Sequence, residues 1–313
     1  MNRTRKALYF FCMKEPLHIV GRDVFNKCRE LYDMDESDLV VDGYPVLEYR
    51  DNSGNLFSFM RQKTLVSYEY DRFLPVLRRH FSDYTIAGEV NWHAGENAPD
   101  RILTVHSIGD VETGHFSPAA PQAMRSLLLS LEEHRKAGGL DDFTVTTEAT
   151  HWTGSIKGGD PSKIPLFPVP MVDIEIGSAR HSWENERAVE CLARALTEVF
   201  QDEGELLNIL CVGGTHFEDS FAQAALDRDH PFGVSHILPN QWLVSGGYET
   251  EEGYRKMKDC VDTIPGGIRG LFYHEGLKGP YRQTCRVLGE ELGVPVFKHK
   301  KLRKPEGLPF WEE

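Results

Sequence analysis

From Phe143 onward the chain alternates short β-branched runs with stretches of helical periodicity, and that alternation confines it to the α/β class. Phe143–Thr147 and Val172–Ile176 switch between apolar and polar residues with a period of two, the pattern of half-buried strands. Leu206–Val212 reads as a buried-strand run closed by Gly213-Gly214, and Val234–Leu238, Ile268–Tyr273 and Val294–Lys298 read as further short strands. Between them, Ala188, Cys191, Leu192, Ala195, Leu196 and Val199 repeat at helical spacing, which predicts a helix over Trp183–Phe200 capped by Ser182. Helices are also expected over Phe217–Arg228, Glu251–Val261 and Tyr281–Leu292. An earlier one over Pro121–Ala137 is started by proline and stopped by Gly138-Gly139.

The N-terminal third is less regular. Met1–Lys6 is basic, and the apolar stretch Ala7–Met13 behind it ends at Lys14-Glu15-Pro16 without a small-residue cleavage site, so it reads as a first strand and not a signal peptide. Asp51–Asn55 carries the residues of a hairpin turn. The Gly/Pro-rich stretch 154–170 reads as a surface or active-site loop. The expected organisation is a region 1–85 packed on an α/β catalytic domain, 86–313, with a basic C-terminal segment. No apolar run approaches the roughly 18 residues of a membrane span, which excludes a membrane partner. Six cysteines without a CxxC pair argue against a zinc ribbon or disulfide framework and for a reducing, cytoplasmic setting. Net charge is -13, yet residues 254–304 hold 12 Lys+Arg against 5 Asp+Glu, the one sizeable stretch with positive balance.

Five histidines, His93, His106, His151, His216 and His236, fall at strand ends or in the turns that follow, where α/β proteins place their sites. Imidazoles that converge at one sheet edge can bind a zinc-type ion, act as general base, or donate to a developing oxyanion. No His-Glu-x-x-His or other close-spaced ligand pair occurs, so spacing alone leaves the metal open. Glu148, three residues before His151, and Glu175, inside an apolar strand, are the carboxylates placed to serve as ligands, partners of ligands, or clamps for an amine. Gly213-Gly214 between a buried strand and a helix offers backbone amides to an anion. Walker, GxGxxG and GxSxG motifs are absent from the sequence, which disfavours nucleotide-cofactor chemistry and a serine elbow.

Six segments in order, Leu103-Thr104-Val105-His106, Glu148-Ala149-Thr150-His151, Glu175-Ile176-Gly177-Ser178, Gly213-Gly214-Thr215-His216, His236-Ile237-Leu238-Pro239 and Gly276-Leu277-Lys278-Gly279, resemble those of the archaeal- and plant-type D-aminoacyl-tRNA deacylases. The resemblance covers roughly residues 86 to 290. It departs at Trp152, where a second histidine is expected, at Phe217 in place of tyrosine, and at Asn91-Trp92-His93. It implies a three-layer α/β/α fold with a mixed sheet, related to phosphorylases and peptidyl-tRNA hydrolases. The activity it implies is cleavage of the ester between a D-amino acid and tRNA, with zinc as the associated cofactor.

On that resemblance His106, His151 and His216 form the reacting cluster with Glu148, either as metal ligands or as base and oxyanion donors. His93, Glu175, His236, Gly213, Gly214, Trp152 and Lys278 would contact substrate. The partner would be the tRNA acceptor end, met by Lys278, Arg282 and the basic run Lys298–Lys304, or a small aminoacyl compound. Two other readings keep the scaffold: a metal-dependent hydrolase of a small acyl ester or amide, and a noncatalytic ligand-binding module.

Overall fold

The computed structural model describes residues 4–14, 19–95, 98–201 and 204–311; Met1–Arg3 and Glu15–Pro16, used above in reading the N-terminus, lie outside them. The chain opens with β1 (Lys6–Cys12), α1 (Ile19–Leu31), β2 (Asp35–Val41), β3 (Tyr44–Arg50), β4 (Leu56–Gln62), α2 (Tyr70–His80), β5 (Ile86–Trp92) and β6 (Arg101–Ser107). A short ribbon of β7 (Gly109–Asp110) and β8 (His115–Phe116) leads to α3 (Pro121–Ala137), β9 (Thr144–Thr147) and β10 (Met171–Ser178). The remainder is α4 (Arg180–Trp183), α5 (Glu186–Leu196), β11 (Leu207–Val212), α6 (Asp219–Leu226), β12 (Phe232–Leu238), α7 (Asn240–Ser245), α8 (Glu251–Asp262), β13 (Gly270–Tyr273), α9 (Gly279–Leu292) and β14 (Val296–Lys298).

Eight strands form a mixed sheet in the order β2-β3-β4-β1-β5-β10-β6-β9, and four parallel strands form a second sheet, β12-β11-β13-β14. The boundary expected at residue 85 does not separate two units. β1 pairs in parallel with both β4 and β5, from Ala7 opposite Ile86 to Phe11 opposite Val90, so the N-terminal region supplies strands of the same sheet instead of packing on its outside. The reason lies in β1 itself: Ala7 to Cys12 are buried on both faces, as a central strand requires.

Helices cover both faces of the large sheet, giving the layered α/β arrangement. One apolar cluster takes in Tyr9, Phe11, Val90, Val105 and Ile174 with α1, α3 and α5, and continues without a break into Ile209, Cys211 and Phe272 of the second sheet. On the other face Leu8, Phe10 and Ala87 pack on Phe73, Leu74 and Leu77 of α2. All six cysteines are buried free thiols. The helix expected over Trp183–Phe200 is split. Asn185, not Ser182, caps α5 by accepting from the amides of Arg187 and Ala188 at 3.1 Å, while the Ser182 hydroxyl donates to Asp100 O.

The two sheets are joined through residues 148–151. Ala149 N–H donates to His216 O at 2.8 Å and Thr150 N–H to Ile237 O at 2.9 Å, on the second-sheet side. On the other side His151 bridges to Ile108, and Gly109 N–H donates to His151 O at 3.3 Å.

Helix α1 approaches the large sheet at Gly21, where an added Cβ would stand 3.1 Å from the backbone N and O of Cys12 and 3.2 Å from Val90 O. Neither strand backbone can give way. Gly21→Ala should therefore destabilise by about 1–3 kcal/mol through overpacking, outweighing the roughly 1 kcal/mol that alanine gains in a helix. Chemical unfolding of the two proteins checks the sign.

Candidate active site

The period of two along β5, β6 and β10 builds the site. Val90, Leu103, Val105, Ile174 and Ile176 face the helix-covered core, so the residues between them face the other way. These are Glu89, Asn91, Thr104, His106, Asp173 and Glu175, all at most 3% exposed. Register sets Asp173 between Glu89 and His106, and Glu175 between Asn91 and Thr104. The result is a polar stripe across three strands inside the fold.

Three further elements bring imidazoles and a carboxylate to this stripe. The joint between the sheets supplies Glu148 and His151, the turn after β11 supplies His216, and the end of β5 supplies His93, held by its own N–H to Ile176 O at 3.0 Å. Gly213 and Gly214, at φ +92° and +83°, turn the chain there. Glu148 is at the centre. Its Oε2 accepts from His216 Nε2 at 2.7 Å and lies 3.3 Å from His93 Nε2, while Oε1 has no partner. His106 stacks on His151 with centroids 3.8 Å apart, and His151 lies 4.9 Å from His216.

Burial and proton placement give these groups different states. Burial alone would raise Glu148, but hydrogen bonds from His216 and His93 hold it well below the usual carboxylate range. Burial pushes Glu175 and Asp173 well above that range, reinforced by the neighbouring carboxylates, and Glu89 up to about 7. Burial also lowers His106 to about 4 and drives His151 well below its ordinary value. Both rings are held by main-chain carbonyls. His106 Nδ1 donates to Ser107 O at 3.2 Å and His151 Nδ1 to Ala149 O at 2.9 Å, which leaves each Nε2 with a lone pair.

That tautomer is the one a metal requires, with the second ring nitrogen anchored behind the ligand. His106, His151 and Glu148 offer ligand atoms within 4.8 Å of one another, and buried His106 Nε2, 3.4 Å from Asp173 Oδ2, and Glu148 Oε1 make no hydrogen bond, so this set fits a zinc-type ion. His216 does not complete the expected His106, His151, His216 ligand set, because its Nε2–H is turned to Glu148 in a separate group with His93. A third cluster, Glu218, His274 and His299, has the opposite protonation. The amides of Gly276 and Glu275 donate to Nδ1 of His274 and His299, which puts the ring protons on Nε2, the wrong form for a ligand.

A cavity of about 440 Å³ opens over the site, lined by His93, His151, His216, Glu175 and Asn91 and walled by Tyr68, Trp92, Phe217, Trp242 and Ile156. Four expected substrate contacts lie elsewhere, and Gly214 is likewise not among the lining residues. Trp152, next to His151, alternates away into the core against Tyr70. His236 is enclosed between the hydroxyls of Thr150 and Thr263. Gly213 spends its N–H on Leu238 O, and a Cβ on Gly214 would meet the Glu218 carboxylate, so the pair turns the chain toward His216. Lys278 is exposed at the start of α9. Sequence reasoning missed Tyr68, Trp242, Ile156, Glu89 and Asp173. For the last two a signal existed: Glu89/Asn91, Thr104/His106 and Asp173/Glu175 are each polar pairs two apart in an apolar strand.

Fold and site together define an α/β enzyme with a histidine–carboxylate centre. A family model described as D-aminoacyl-tRNA deacylase matches residues 80–297, and the chain belongs to that family. It is 31% identical over 294 residues to a D-aminoacyl-tRNA deacylase of Thermococcus onnurineus, an alignment covering 90% of this chain and 96% of the relative. It is 26% identical over 287 residues to one of Pyrococcus abyssi, covering 88% and 94%. The fold matches the crystal structure of a conserved protein of unknown function with TM-score 0.74 at 20% identity, across 97% of this chain and 98% of that one.

The raised Asp173 carboxyl makes a prediction for the metal-stripped protein. Above the usual aspartate range of about 4 the unfolded chain releases its proton while the folded one keeps it, so this residue costs stability increasingly as pH rises. Asp173→Asn should raise the thermal midpoint at pH 8 relative to the parent and lose that advantage at pH 4.

Proposed function

We propose that this chain hydrolyses the ester of D-aminoacyl-tRNA to free D-amino acid and tRNA. The observation that carries the reading is Glu148, buried behind the cavity-lining His93, His151 and His216, with one oxygen bonded to His216 and beside His93, the other oxygen without a hydrogen bond, and a ligand atom within 4.8 Å of His106 and His151. Family membership supplies the substrate class.

An aminoacyl ester is activated, so the protein has mainly to orient it, make a nucleophile and return a proton. Glu175 Oε2, buried and without a partner, is assigned to the substrate α-ammonium. Glu148 and His216 act as a carboxylate–imidazole pair: Nε2–H stays on Glu148, and the other ring nitrogen takes the proton of the attacking water. The charged Glu148 favours the imidazolium that results, and His216 then gives this proton to the departing ribose oxygen. His106, His151 and Glu148 would hold zinc, which when bound acidifies water towards a pKa of about 7 and polarises the carbonyl.

The RNA approaches over the second sheet. Lys298, Lys300, Lys301 and Arg303 are exposed, yet Leu302 and His299 between them are buried, so this run is a folded surface and not a frayed end. It follows β14 at the same carboxyl edge as β11, which leads to His216.

Purified protein should cleave matched D-aminoacyl-tRNA faster than the L form and lose activity with chelator; equal treatment of both isomers would overturn the reading. His216→Asn should reduce kcat by about 10²–10⁴-fold and leave zinc stoichiometry intact, whereas His151→Ala should lower the metal content. Neutralising Lys298, Lys300, Lys301 and Arg303 together should weaken tRNA binding and flatten its salt dependence. If the quadruple variant handles tRNA like the parent at every salt concentration, the small-ester reading becomes the better one.

A further inference from the structure

The cavity mouth is built differently from its floor. Ile156 is 78% exposed, the most exposed large apolar side chain among the described residues, and it sits on a short 3-10 turn, Thr153–Lys157, at the edge of the cavity. That turn is fixed from beneath. Thr153 Oγ1 donates to Ser67 Oγ at 2.9 Å, Ser155 Oγ donates to Asp110 Oδ2 at 2.7 Å, and Gly154 lies on the buried Trp152 ring so closely that a Cβ there would stand 2.3 Å from it. An apolar side chain is thus held out in water on a fixed support, at the edge of a cavity whose walls are aromatic.

Trp242 stands beside the reacting imidazoles, 6.0 Å from His151 and 5.8 Å from His216 by centroid, and Tyr68 completes the rim. Lys157 lies next in sequence to Ile156, with its Nζ 5.0 Å over the Tyr68 ring. Among the described residues no carboxylate lies within ion-pairing range of it. The mouth therefore combines apolar and aromatic surface with one unpaired cation.

On the hydrolytic reading above, the acyl group enters first, its ammonium on buried Glu175 and its ester beside His216. The polymer must leave through the mouth, and the part of it nearest the ester is the terminal ribose and its base. We propose that Ile156, Trp242 and Tyr68 form a stacking seat for the terminal nucleoside of the RNA, with Lys157 on its 5′-phosphate. Every base has a flat face suited to such a platform, and a cation beside it suits the backbone. The irregular stretch after His151 is then a substrate-reading element.

The test compares three small substrates carrying the same D-amino acid: an ethyl ester, a 3′-ester of adenosine, and a 3′-ester of 5′-AMP. The parent should prefer the adenosine ester to the ethyl ester, and Ile156→Asp should cut that preference about tenfold, the loss falling mainly on KM. Lys157→Glu should lower kcat/KM on the AMP ester about fivefold more than on the adenosine ester. Equal losses on ethyl and adenosine esters, or no change in the ratio, would overturn the seat. If the parent cleaves none of the esters, the hydrolytic reading is what fails, and calorimetry of 5′-AMP binding decides the seat alone: weaker binding to Ile156→Asp supports it, and unchanged or absent binding to both proteins removes it.

Discussion

Removing a carboxylate from water costs several kcal/mol unless a cation, a proton or directed hydrogen bonds compensate it, and this fold does so with Glu89, Glu148, Asp173 and Glu175 in one neighbourhood. Among the described residues the only buried lysine or arginine is Arg125, and it is spent on the carbonyls of Ala225 and Asp227. Each acid is settled by other means. Glu89 takes the amides of Val66 and Ser67, Glu148 takes two imidazoles, and burial beside other carboxylates pushes Asp173 and Glu175 well above the usual range, which favours their protonated forms. His106 and His151 are as constrained as the acids, since their ring protons are assigned by main-chain carbonyls. A site arranged in this way is suited to positive charge from outside, which on the proposal above an α-ammonium and a divalent ion would bring.

Much of the α/β frame was legible because regular periodicity records which face is buried. Pro121–Ala137 forms over its expected span, and the six strands expected in the second half all form, with ends shifted by a few residues. The first 85 residues were harder to read. β2 is an edge strand whose first four residues, Asp35-Glu36-Ser37-Asp38, carry no apolar signal, and the pairing of β1 with β4 and β5 is a long-range fact that local pattern does not encode.

The site was read by a rule of position, that histidines at strand ends gather at one edge. Position alone does not give direction. His151 and Trp152 are neighbours, and extended backbone sends one to the cavity and the other to the core. His236 obeys the rule and is still enclosed by Thr150 and Thr263. The cavity walls come from Tyr68 and Trp242, on elements far apart in sequence, so nothing local announces them. What did carry directional information was the repeated polar pair two apart in an apolar strand, because one of the two faces is then certain to be paired with a helix layer.

The hydrogen bond from Ala149 N–H to His216 O links the residue after Glu148 to the carbonyl of the very residue that Glu148 orients through its side chain. Carboxylate and imidazole are therefore coupled twice, once through side chains and once through backbone, across the line where the two sheets meet. Any displacement of one sheet against the other would change the distance between groups on opposite sides of the junction. Here His216 is tied to the residue after Glu148 by a main-chain hydrogen bond, so the two groups keep their spacing even though they sit on opposite sides of the junction. On the hydrolytic proposal, that double tie would keep the carboxylate and imidazole in register while an RNA end enters and leaves.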